Sequence, residues 1–213
     1  MKKLLKPVLG LALVATIVAC GGVADKSNDT ASDSTDTMAA KVEEMTEKTV
    51  AVKLDESNVL WTGQILGGLK SHNGTLKIAD GSLDMNGTTI VGGTFTIDMK
   101  SINPTDSNYT ADQTAADLVG HLSTGDFFLV DSFPTASFVI KSTDMTAKTL
   151  TGDLTVRGTT KEETIKDLNV NLTDGSAIGS LTFNRQDYGV TFDTGAKDFV
   201  LSDDIELTIK LKM

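Results

Sequence analysis

Residues 204–213 read "DIELTIKLKM", and their apolar side chains fall at every second position. Ile205, Leu207, Ile209 and Leu211 share one face, while Glu206, Thr208, Lys210 and Lys212 share the other. A period of two is that of a β-strand with one buried side. "TFTIDMKSI", residues 94–102, repeats the pattern, with Phe95, Ile97 and Met99 opposite Thr94, Thr96, Asp98 and Lys100. Similar segments lie near residues 57–65, 73–79, 136–142, 149–157, 163–173 and 177–184, separated by turns such as "ADG", "MNG" and "TDG". Ile165 and Leu168 fall out of phase across Lys166 and Asp167, which predicts a bulge there. Eight or more strands in about 165 residues predict one all-β antiparallel domain.

A sheet with one apolar face must pack on a second sheet or close on itself. Closure at about eight strands leaves an interior just wide enough for side chains or for one small ligand. One segment breaks the strand pattern. In "TADQTAADLVGHL", residues 110–122, Ala111, Ala115, Leu118, Val119 and Leu122 fit a short amphipathic helix. It leads into "TGDFFLVDSFPTASF", residues 124–138, which holds four of the chain's eight phenylalanines. Covering Phe127, Phe128, Phe133 and Phe138 is worth about 6 to 12 kcal/mol, at roughly 1.5 to 3 kcal/mol each. The core, a partner or a bound apolar molecule must supply that cover. A helix and aromatic cluster between strands lie against or across one barrel opening, as a lid.

The first residues have a different purpose. Lys2, Lys3 and Lys6 precede "VLGLALVATIVA", a positively charged start and an apolar run that together mark residues 1–19 as an export signal. The run is well short of the ~20 residues that a membrane-spanning helix needs. Cys20 is the only cysteine, so it has no partner for an internal disulfide. "IVAC" followed by Gly21 and Gly22 resembles the bacterial lipoprotein signal, in which the thiol takes a diacylglyceryl group and becomes the first residue of the mature chain. Such chains add about 0.8 kcal/mol of anchoring per buried CH₂. Loss of residues 1–19 removes three lysines and no acids, so the net charge of -10 becomes -13. That acidity excludes nucleic-acid binding as a main function, because it requires a basic patch.

Residues 20–48 are polar and acidic with no aromatic side chain, and read as a flexible, lipid-anchored tether. A coil of this length holds a domain roughly 30 Å from its anchor. Thr37–Glu47 could form a frayed helix, and "DTA" and "DTM" resemble an O-glycosylation pattern of some envelope lipoproteins. Residues 49–213 form the barrel domain.

Several stretches between Val52 and Met213 resemble the YceI-like family of bacterial envelope proteins. "SNVLWTGQ" with "SHNGTLKIADGSL" is similar to the family's opening strands, and "GHLSTGDFF" with "FPTASF" to its helix-to-strand segment. "TGDLTVRGTTKEETI" resembles its hairpin and "FNRQDYGV" its late strand and turn. The resemblance implies a lipocalin-like antiparallel β-barrel that binds a polyisoprenoid or related lipid chain. Leu129 stands where many members carry an acid, and Phe133 where they carry tyrosine, so this segment is more apolar than usual.

The apolar tunnel is expected along Phe95, Ile97, Phe138, Ile140, Leu154 and Val156, with Phe127, Phe128 and Phe133 at one end and Trp61 and Phe183 from the family-like strands. His72, Arg157 and Arg185 are candidates for headgroup contacts. The alternatives are a backbone-bonded His72 and arginines on a solvated strand face. His121 falls at the end of the expected helix, where a cation interacts well with the helix dipole. Neither histidine sits in a catalytic or zinc spacing, so no enzyme activity, cofactor or metal is expected. The expected partners are an isoprenoid, quinone-like or fatty chain and, through acylated Cys20, a membrane, with the outer membrane or cell surface favoured over the cytoplasmic membrane. A second copy of the chain is a further candidate partner. The competing function is a structural or stress-related surface lipoprotein with a filled barrel and no ligand.

Overall fold

The computed structural model describes residues 46–65, 70–195 and 200–213, all inside one compact unit, Glu43–Met213. The expected signal peptide, Cys20 and the expected tether as far as residue 45 lie outside the described residues.

Nine strands and one helix follow in order: β1 (Glu47–Ala51), β2 (Asn58–Ile65), β3 (Ser71–Asn86), β4 (Thr89–Pro104), α1 (Ala115–Ser123), β5 (Thr135–Asp144), β6 (Thr149–Val156), β7 (Thr159–Asn171), β8 (Ser176–Asn184) and β9 (Leu201–Lys212). The strands pair in the order β1-β3-β2-β9-β8-β7-β6-β5-β4, and β3 also pairs with β4. That last pairing closes β2 to β9 into an eight-stranded antiparallel barrel, which leaves those strands no open edge. β1 continues β2 along the same neighbour: Val50 faces Leu83 and Val59 faces Leu76, with a 3-10 turn at Leu54–Glu56 between them.

The alternation that predicts the strands is the one that fills the core. On β6, Leu150, Leu154 and Val156 are buried, while the Thr155 hydroxyl meets Thr160 on the exposed side at 2.8 Å. Phe138 and Ile140 on β5 and Leu181 and Phe183 on β8 obey the same rule. The bulge expected at Lys166 and Asp167 is present: the β7–β8 register shifts between Lys166 and Asn169, and Asp167 adopts φ 53°. The shift turns both Ile165 and Leu168 into the core.

Three expectations are corrected. "ADG", residues 79–81, is not a turn, because β3 runs through it with a register shift between Ile78 and Asp80. Gly81 permits this: a Cβ there would lie 2.7 Å from Phe95 Cδ1 on β4. The helix begins at Ala115, so Ala111 lies outside it. Its start is fixed by a capping box, in which the Thr114 N–H donates to Asp117 Oδ2 at 2.9 Å and the Asp117 N–H donates to Thr114 Oγ1 at 3.2 Å. Finally, the sheet begins at Glu47, ahead of residue 49, and Glu47 is in a strand where a frayed helix was drawn. Residues 37–45 of that stretch lie outside the described residues.

Candidate functional site: an apolar cavity in the barrel

The barrel interior holds a cavity of about 210 Å³, lined by side chains from α1 and every barrel strand. A dry cavity of ~150 Å³ already admits a ring the size of benzene. At the ~30 Å³ share of one water molecule, the space here accepts roughly seven such groups. Of the expected tunnel residues, Trp61, Phe95, Ile97, Phe127, Phe128, Phe138, Ile140, Leu154, Val156 and Phe183 all line it. Phe133 does not. Its ring packs outside on the tip of the β6–β7 hairpin, where a Cβ at Gly158 would come within 2.7 Å of Phe133 Cε1.

Local backbone chemistry places the aromatic end. After α1, whose Leu118 and Leu122 line the cavity, the chain turns back on the helix. The Phe128 N–H donates to Leu122 O at 3.1 Å, and the Val130 N–H to Ser123 O at 3.0 Å. Leu129 takes the left-handed conformation, φ 47°, that lets the turn close. Phe127 and Phe128 are thereby held against the cavity. His121, in the last turn of α1, meets Phe127 edge-on at 4.9 Å and Phe192 at 4.7 Å.

Both arginines are occupied by the protein itself. Arg157 and Gly158 form the two-residue loop between β6 and β7 with φ 49° and 73°, the positive pair that a tight hairpin of primed type requires. From there the Arg157 guanidinium donates to Phe127 O at 2.6 Å and Gly189 O at 2.9 Å. It clips the aromatic segment to the turn after β8. Arg185 is buried, and donates to Ser202 O at 3.0 Å, Val190 O at 2.7 Å and Asp203 Oδ1 at 3.1 Å. These contacts engage Arg157 Nη1 and all three guanidinium nitrogens of Arg185 within the protein. Apart from Val190 O, five residues from Arg185, the partners lie 17 to 32 residues away, which a strand pattern does not reveal.

His72 behaves differently. It lines the cavity from β3, and its Nδ1 lies 3.2 Å from Asp106 Oδ1. Its partner is thus a carboxylate, where the sequence favoured backbone. The Asp106 side chain is only 5% exposed. Besides His72 it accepts from the Asn108 N–H at 2.9 Å, the Asn73 N–H at 3.0 Å and the Tyr109 hydroxyl at 2.9 Å. Burial alone would raise the Asp106 pKa, but these donors together hold it down, to about 2. Burial and the adjacent Asp106 charge push the Tyr109 phenol up to about 12. Tyr109 also stacks on His72, with ring centroids 5.1 Å apart and planes 18° from parallel.

Sequence reasoning missed Asp106 and Tyr109. The Asn108 N–H bond to Asp106 is an Asx-turn, a pattern that "PTDSNY" does advertise. Its partnership with His72, 34 positions away, is not encoded locally.

The fold finds parallels in known proteins. A UPF0312 protein from Staphylococcus aureus strain MSSA476 is 35% identical over 117 residues, which cover 51% of this chain and 62% of that protein. The chain thus spans less than two thirds of the curated relatives it matches. Burkholderia cenocepacia BcnA superposes with a TM-score of 0.60 at 17% identity, over 75% of this chain and 98% of BcnA, and so shares the fold. A polyisoprenoid binding domain from Saccharophagus degradans, implicated in plant cell wall breakdown, aligns at a TM-score of 0.49 and 12% identity over 76% of this chain and 95% of its own. Residues 50–213 match the YceI-like domain, all of the barrel from the end of β1 onward. The chain belongs to the YceI-like family.

Proposed function

We propose that the protein is an envelope lipoprotein whose barrel carries or sequesters one apolar chain of isoprenoid, quinone-like or fatty type. The single observation that supports this most is the cavity of about 210 Å³ in a barrel that has the side chains to fill it. Interiors normally pack to crystal-like density, with few voids larger than a water molecule. A space of this size with apolar walls forfeits dispersion contacts that a bound chain would restore. The alternative, a structural lipoprotein with a solid barrel, asks for an interior without that space.

Binding is favoured over catalysis beside the cluster of His72, Asp106 and Tyr109. Tyr109, with its phenol pushed up to about 12, is a poor base near neutrality. Asp106, held to about 2, is ionised near neutrality and has no proton to donate. Acylated Cys20 would tie the domain to a membrane through the tether, on the outer membrane or the cell surface. Fluorescence titration with the neutral dye N-phenyl-naphthylamine tests the binding claim. Saturable uptake of one dye per barrel is expected, and an unsaturated, linear response would overturn it.

A further inference from the structure

The cavity is not equally open along its walls. Phe138, Ile140, Leu154 and Val156 line it from β5 and β6, yet each is only 5 to 7% exposed, because neighbouring side chains already cover it. Ile205, Leu207, Ile209 and Leu211 line it from β9 and stay only partly buried. β9 is hydrogen-bonded to β2 on one side and to β8 on the other. With the sheet closed on both sides of them, these inward side chains turn their uncovered surface to the cavity. Phe95 and Ile97 on β4, three strands round the barrel, are partly buried lining residues of the same kind. The free space therefore lies against β9 rather than against β5 and β6.

Its shape follows from that row. From Ile205 to Leu211 a strand advances about 20 Å, at ~3.3 Å per residue. A round void of 210 Å³ would be only about 7 Å across. Space that reaches all four side chains is thus long and narrow. Beyond the aromatic end at α1, alternating isoleucine and leucine give it an aliphatic wall. The partner of Ile205 on β2 is Gly63, where a Cβ would meet only Ile205 Cδ1, at 3.8 Å, and the partner of Leu211 on β8 is Ala177. Neither partner carries a side chain large enough to cover its end of the row. A wall left bare in this way forfeits dispersion contacts that a chain lying along it restores.

Resting on the lipid-binding function proposed above, we infer that the ligand is an unbranched hydrocarbon chain, of fatty rather than isoprenoid type, laid lengthwise against Ile205, Leu207, Ile209 and Leu211. These four residues set the specificity. An isoprenoid chain carries a methyl branch on every fourth carbon, and a narrow slot must widen to admit each one. A single methylene group too many in an apolar pocket changes affinity by roughly tenfold or more.

The test compares two isomers of equal carbon number, 1-decanol and the isoprenoid-skeleton 3,7-dimethyl-1-octanol, by isothermal titration calorimetry on the full-length protein. The wild type should bind the straight isomer about tenfold more tightly. Leu207→Ala makes room beside the chain, so that preference should fall to about one through tighter binding of the branched isomer. Leu207→Val, which keeps a residue suited to a strand, should lower it to about threefold and guards against loss of the fold. Thr208→Ala, on the outer face of the same strand, should keep the wild-type preference. If the wild type binds the branched isomer as well or better, or if neither Leu207 variant moves the ratio, the inference is overturned while the lipid-binding function stands. If neither isomer binds, both fail together.

Discussion

Val156 is buried on the inner side of β6 and lines the cavity, while Thr155 beside it faces outward. Replacing Val156 by phenylalanine adds about four carbon-sized groups. At ~30 Å³ each these take ~120 Å³, over half of the cavity's 210 Å³. In a barrel with real space the ring enters it without strain. Up to about 3 kcal/mol of extra apolar burial, at ~0.8 kcal/mol per carbon, is then available to offset imperfect fit. The ligand loses what the ring gains. Displacing about four of its carbons costs roughly 3 kcal/mol, or about two decades of affinity. In a filled core the same ring overpacks, at a typical cost of 1 to 3 kcal/mol. With roughly 2 to 4 °C of melting temperature per kcal/mol in a domain of this size, that loss would lower Tm by about 2 to 12 °C. Differential scanning calorimetry and dye titration of Val156→Phe, with Thr155→Phe as the outward control, decide between the two. The expected result is an unchanged or higher Tm with binding weakened about a hundredfold, and a control that keeps its affinity. A lower Tm with unchanged affinity would refute the reasoning, since ligand and ring would not be sharing the space.

Arg157→Ala should destabilise the fold by about 2 to 3 kcal/mol, since it removes a charged donor from the Phe127 and Gly189 carbonyls. Arg157→Gly should lose about 1 kcal/mol less in urea denaturation, because glycine accepts φ 49° freely. Asp106 has its pKa depressed from 3.8 to about 2 in the fold, so its contribution is complete above the unfolded value and is lost as pH falls through that interval. Its size is about 2 kcal/mol, and denaturation measured from about pH 5 down to about pH 2 should show that loss in the wild type but not in Asp106→Asn. Cys20→Ala should abolish acylation and move the protein from the membrane fraction to the soluble one. Sedimentation with membranes after a salt wash would contradict the anchor.

Period-two alternation was enough to place the barrel strands because each has one apolar face and one polar face. Where that contrast is missing, the strand was invisible. β1, "EKTVA", is largely exposed and is held by main-chain pairing to β3, so nothing in its side chains distinguishes it from the acidic stretch before it. The "ADG" segment misled for the opposite reason. Its residues carry a turn's chemistry, but the close approach of Phe95 to Gly81 uses the glycine to keep the strand going. In the site, the apolar wall followed from the alternation, and Phe133 escaped it because positive φ at Leu129 and two N–H bonds back to Leu129 O, from Ser132 and Phe133, turn the chain before β5 starts. Polar roles depend on tertiary partners. Whether Arg157 grips a headgroup or a carbonyl is decided by where residues 127 and 189 come to lie.

Native mass spectrometry of the purified protein, before and after organic extraction, tests ligand binding most directly. The account predicts one small apolar molecule held noncovalently per chain, absent after extraction and regained when an apolar chain is added back. A bare protein mass throughout, with no uptake of added alcohol, hydrocarbon or fatty chain, would contradict it.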